Sequence, residues 1–361
     1  MTLSLWLRQD KKIMSAQATQ VHPFEDGNTI ISDQDSYCST EQQKINYLEL
    51  IGGNLRPILL SFKFMGLYYG PTKSDEILLG NSSHHQVGRY WYEKLYCFLV
   101  LTLMLWSSIV MVLVSIGHHG LGLGTRIFVA FVYCCWHFHT NCNAAACLAM
   151  LPCGRKKRSR FENFLLKPIN FPEGQHLQQF SARKTLILSW VLIIGNSCLN
   201  ALLSFVSSIA LPQFPPWNRW PTASAIGYSV ICFYNNAAWV LPLALYSIIC
   251  RHLLILITNL ETSIKSKVEK RTLTFKFIRK KHMELCEFIE TADNVLNYLA
   301  LSCYAGYIPL LCLLFNQLAK FSSVKDIQVF LLICYMFWSI VSFGIMSFVS
   351  YVAAGVSSKV N

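Results

Sequence analysis

LYCFLVLTLMLWSSIVMVLVSIG, residues Leu95–Gly117, carries no charged side chain after Lys94. A helix needs roughly 20 apolar residues to cross a hydrocarbon core about 30 Å thick, so this stretch reads as a complete membrane span. Five further blocks have the same character. The expected spans lie at about 94–116, 127–151, 185–210, 223–249, 295–318 and 327–355. Composition agrees: of 361 residues 53% are hydrophobic and 14% charged, against roughly 25% charged in an average soluble protein. The soluble globular and disordered classes are excluded. The fold class expected is all-α, a polytopic transmembrane helical bundle of six spans.

The net charge of +12 would fit nucleic acid if the basic residues formed one patch. They sit instead in connections beside apolar blocks, where charge sets orientation, so no nucleic-acid partner is expected. The connection at 152–184 holds eight Lys or Arg and that at 250–294 holds nine, whereas 117–126 offers Arg126, 211–222 offers Arg219, and 319–326 offers Lys320 and Lys325. Positive residues stay inside, which predicts a cytosolic N-terminus. Residues 1–54 read as a disordered cytosolic tail with no signal peptide. Around Leu55–Tyr69, Leu59, Phe62, Met65 and Leu67 recur near helical spacing with Arg56 and Lys63 opposite, the pattern of a short helix at the inner membrane surface. Between Arg251 and Glu290 apolar residues again recur at three and four, so the fourth and fifth spans are expected to continue into the cytosol as amphipathic helices.

Most of the fourteen cysteines fall inside apolar blocks, where a thiol behaves as a small hydrophobe. His137-Phe138-His139 with Cys142 resembles a metal-ligand cluster, but helical positions i and i+2 point about 200° apart and do not meet one ion. The run GRKKRSR, Gly154–Arg160, reads as a stop-transfer and orientation signal. No phosphate-binding loop, zinc-protease motif or nucleophile elbow is present, and the spans lack the acidic and lysine residues of ion-coupled pumps. The expectation is that the chain is not an enzyme and has no catalytic residues, no metal and no cofactor.

The polar and aromatic content of the outer halves of the spans remains, and any small-molecule site is expected there. Tyr133, Trp136 and His137 lie on the second span, Tyr234, Asn235, Asn236 and Trp239 on the fourth, Tyr304 and Tyr307 on the fifth, and Tyr335 and Trp338 on the sixth. Aromatics with a few amides make apolar small-molecule pockets. They also make interfacial belts and interhelical hydrogen bonds. Asn235 and Asn236 are adjacent amides deep in a span, and each requires a partner on a helix or a ligand. Pro242 and Pro309 are expected to kink their helices and open a cavity between them.

The order of features resembles the arthropod gustatory receptor family of the insect chemoreceptor superfamily. LRPILLSFKFMGLYYG (Leu55–Gly70) is similar to the family's phrase before the first span. AAWVLPLALYSIICRHLLILITNLE (Ala237–Glu261) is similar to its fourth span and cytosolic extension. HMELCEFIETADNVLNYLALSCYAGY (His282–Tyr307) resembles the approach to its fifth, and SYVAAGVSSKVN (Ser350–Asn361) the cytosolic end of its sixth. The resemblance implies a gustatory-receptor-like domain over 55–361. It implies a multi-pass plasma-membrane subunit of a ligand-gated cation channel, assembled in the bilayer as a homo- or hetero-tetramer and opened by a small-molecule tastant. The family's Thr-Tyr and Gln-Phe seventh span, which lines its pore, has no counterpart before Asn361, so the chain is expected to keep the sensing bundle without the pore-lining helix. The alternative is a G-protein-coupled receptor or a passive transporter. The first conflicts with a cytosolic N-terminus, and no internal repeat supports the second.

Overall fold

A computed structural model describes residues 55–69, 91–117, 123–149, 164, 182–210, 221–271, 274–319 and 326–360. The tail at 1–54 and the run Gly154–Arg160 lie outside the described residues. Every element among the described residues is helical: α1 (55–64), α2 (Trp91–Gly117), α3 (Leu123–Ala149), α4 (Ala182–Ala210), α5 (Pro221–Glu269), α6 (Phe275–Ala319) and α7 (Asp326–Val360). Five of them, α2, α4, α5, α6 and α7, are long and apolar enough to cross a membrane. The outer faces of these helices carry Phe98, Trp106, Ile187, Leu188, Ile308 and Phe343 exposed. An unbroken apolar exterior of this kind is stable only against lipid. The chain is a membrane-embedded, multi-pass helical protein.

The helix at the second expected span, α3, has the length to cross but, among the described residues, no stretch of span length as apolar as those of the other five. His137, His139, Thr140, Asn141 and Asn143 lower its hydropathy, and all five are buried.

α5 is the central element. Its most apolar window is 78% buried, against 11% for α4 and 22% for α2, and it packs on α2, α3, α4, α6 and α7. Ala237, Ala238 and Leu241 at its middle are fully buried. In lipid, helices gain little from excluding water and associate through close packing and hydrogen bonds, which small side chains allow.

α5 and α6 hold 49 and 45 residues. At 1.5 Å per residue they are about 74 and 68 Å long, more than twice the hydrocarbon thickness. The surplus forms a helical hairpin whose turn is closed by Arg271 at φ 53, the left-handed conformation that ends helices. Thr274 Oγ1 then accepts from the Phe277 N–H at 3.3 Å, capping α6. Lys267 Nζ lies 3.7 Å from the centroid of Phe277 across the turn, a cation–π contact that ties the two helix ends together.

The apolar stripe of α1 is turned into the bundle rather than toward lipid. Ile58, Leu59, Phe62, Met65 and Leu67 are buried, the Trp190 indole N–H donates to Ser61 Oγ at 3.1 Å, and Tyr96 OH donates to the Phe64 carbonyl at 2.8 Å. Gly66 ends the helix at φ +66, and a Cβ there would meet Val100 Cγ2 at 2.7 Å. Only glycine satisfies both the angle and the approach.

Candidate functional site

The polar residues of the spans converge where α3, α5 and α6 meet. Side chains leave a helix at 100° steps, so the tetrad on α5 is distributed among neighbours rather than aimed into one pocket. Tyr234 OH meets Tyr96 OH of α2 at 3.1 Å. Asn235 Nδ2 approaches His137 Nδ1 of α3 at 3.5 Å, and Thr140 Oγ1 lies 3.4 Å from Asn235 Oδ1. Asn236 faces α4, accepting from Asn196 Nδ2 at 2.7 Å and donating to Ser197 Oγ at 2.9 Å. Both adjacent amides therefore have partners on helices.

One turn further along α5, Trp239 stands edge-on to Trp136 with centroids 5.0 Å apart, the quadrupole-favoured arrangement. Tyr133 stacks on His137 one turn away on α3, at 6.3 Å. Trp136, His137, Asn235, Trp239 and Tyr307 thus belong to one neighbourhood, with Tyr133 at its edge. Tyr304 points elsewhere, to Ser350 Oγ of α7 at 2.8 Å. Tyr335 and Trp338 lie on α7 with side chains outside the described residues.

His139, which sequence reasoning considered only as a metal ligand, occupies the centre of this neighbourhood. It faces α6 while His137 faces α5, so the two rings diverge as helical spacing requires. His139 Nδ1 is 2.9 Å from the Ser302 carbonyl. A carbonyl only accepts, so Nδ1 carries the hydrogen, and Nε2 accepts from Asn143 Nδ2 at 3.2 Å. Ser302 Oγ–H reaches Asn143 Oδ1 and closes the circuit. The ring packs on Tyr307 with centroids 4.7 Å apart, and a Cβ at Gly306 would lie 2.6 Å from His139 Cβ. The missing side chain at Gly306 is what lets α6 come this close to His139.

Asn141, Asn143, Asn196, Ser197, Ser302 and Gly306 were not singled out by sequence. The signal available was the i, i+4 repeat of polar residues in α3, at 137 and 141 and at 139 and 143, which places two polar ridges on one helix.

Beside the His139–Asn143 pair is a cavity of about 10 Å³ lined also by Pro242, Tyr246, Leu299, Cys303 and Val349. That volume admits one water. It opens where Pro242 lacks the N–H that would meet the Ala238 carbonyl, the expected consequence of proline inside a helix. The hydroxyl of Tyr307, 1% exposed, has no hydrogen-bond partner at bonding distance among the described residues and faces the Trp239 indole. Among the described residues there is no group of three or more metal-ligating side chains.

Comparison with family models, curated proteins and solved structures finds no match to the chain.

Proposed function

We propose that the chain is a gustatory-type chemoreceptor, a plasma-membrane subunit of a tetrameric ligand-gated cation channel with six membrane crossings and a cytosolic N-terminus, in which a small neutral tastant binds between α3, α5 and α6. The observation that carries the reading is the Tyr307 hydroxyl, buried against His139 and the Trp239 indole with no partner at full bonding distance, next to a proline-flanked cavity. A buried hydroxyl without a partner costs about 1–3 kcal/mol, and a ligand that supplies the partner recovers it. No Lys, Arg, Asp or Glu lines the cavity, so the ligand class is uncharged.

A pocket for a small molecule needs about 300–1,000 Å³, and this cavity has room for a single water. Binding therefore requires α5 and α6 to separate around Pro242 and Pro309, and a ligand drives that opening only through tighter binding to the opened form. The test is calcium imaging of cells expressing the chain with related subunits, challenged with a panel of neutral tastants, comparing wild type with Tyr307→Phe. If Tyr307 is a ligand contact, the variant is at least as thermally stable as wild type, because the orphan hydroxyl is gone, and its half-maximal concentration rises about tenfold. An unchanged dose–response with raised stability overturns the assignment.

A further inference from the structure

The tip of the α5–α6 hairpin is basic and carries apolar side chains far from the bilayer. Between residues 262 and 283 there are eight Lys or Arg and a single acid, Glu269. Lys270, Arg271, Lys276, Arg279 and Lys280 are exposed and pair with no acidic side chain among the described residues. Phe275 is 80% exposed beside them, and Val268 is also exposed. These two exposed apolar side chains stand among the charges at a tip fixed by the Lys267–Phe277 contact. Lys270 lies 20 residues past Cys250, the last residue before the first charge of α5, about 30 Å along the helix, which is further than a headgroup layer extends beyond the hydrocarbon core.

The same chain contains a complementary segment. Residues 25–41, EDGNTIISDQDSYCSTE, hold five acids and no Lys or Arg, with Ile30, Ile31 and Tyr37 between them. From Tyr234, whose hydroxyl joins Tyr96 next to the end of α1, to Lys270 is 36 residues of helix, about 54 Å. Extended, the 18 residues from Tyr37 to Leu55 reach about 60 Å, so Tyr37 and the residues before it come within range of the tip. We propose that the acidic segment 25–41 docks on the basic hairpin tip of its own chain, with Ile30, Ile31 or Tyr37 covering Phe275 and Val268. The contact rests on the proposed topology, which puts the tail and the tip on one face of the membrane.

The experiment uses the full chain in opened membrane vesicles, with trypsin nicking after Lys270 and Arg271 as the readout. Docking predicts that replacing Glu25, Asp26, Asp33, Asp35 and Glu41 with their amides raises the nicking rate about tenfold at moderate salt, and that high salt does the same to wild type. A bismaleimide should join Cys38 to Lys276→Cys within one chain, and the amide variant should lose that product. Equal nicking rates in wild type and amide variant overturn the docking, as does protection that appears only when phosphatidylserine vesicles are added. Nicking of the tip on intact cells overturns the topology instead.

Discussion

Asn236 uses both ends of its amide on α4, accepting from Asn196 and donating to Ser197. Asn236→Leu leaves both without their partner inside the bundle, and the expected loss is about 1–2 kcal/mol, read as lower thermal stability in detergent and reduced surface protein. Adding Asn196→Leu and Ser197→Ala should recover part of it, since removing all partners costs less than removing one. Gly306 makes a harder demand, because a Cβ there collides with His139 Cβ at 2.6 Å and neither atom is the end of a flexible side chain. Gly306→Ala should destabilise the bundle by about 1–3 kcal/mol. Gly344→Ala, where nothing lies within 4 Å, should be neutral or stabilising through helix propensity. If the two alanines behave alike in a thermal melt, the close approach of α3 to α6 is not what fixes position 306.

The hairpin is an element whose helices were expected from the sequence pattern between Arg251 and Glu290, and helix covers that stretch on both sides of the turn. Apolar spacing through Leu253, Leu256 and Ile257, and again through Leu285, Phe288 and Ile289, marked two amphipathic helices, and these residues are buried. Phe288 stacks on Phe164 at 5.0 Å, so Phe288→Ala should cost about 3–5 kcal/mol, whereas exposed Phe275→Ala should cost almost nothing; urea titration of the detergent-solubilised chain compares them. Spans were legible because hydrocarbon length and helical rise leave little freedom: 94–116 was expected and α2 covers Trp91–Gly117, while 327–355 was expected and α7 covers Asp326–Val360. The site was legible only as a set of residue types. Tyr234, Asn235 and Asn236 look equivalent in sequence, yet successive 100° steps send them to α2, α3 and α4. Which neighbour each meets depends on where those helices pack around α5. His139 was discounted because its metal chemistry fails, and its bond to the Ser302 carbonyl cannot be read from composition.

At the scale of the whole molecule the open question is which face each connection occupies, and α3 decides it. Five helices qualify as spans by length and composition; α3 is long enough at 27 residues but buries five polar side chains that a lipid-facing helix could not carry. Shielded by α2, α5 and α6, those side chains bond to protein and do not oppose crossing. If α3 crosses, α2 through α5 make four passes and return the hairpin tip to the side of the N-terminus. The density of Lys and Arg at 152–184 and 250–294 then predicts that this side is the cytosol. Epitope tags at the N-terminus and at Thr272 should bind antibody only after permeabilisation, and a tag at 217–219 should bind on intact cells. Should α3 turn back without crossing, the N-terminal and Thr272 tags would report opposite faces. An N-terminal tag reached on intact cells, with the Thr272 tag reached there too, would invert the whole chain and favour the G-protein-coupled alternative over the channel subunit.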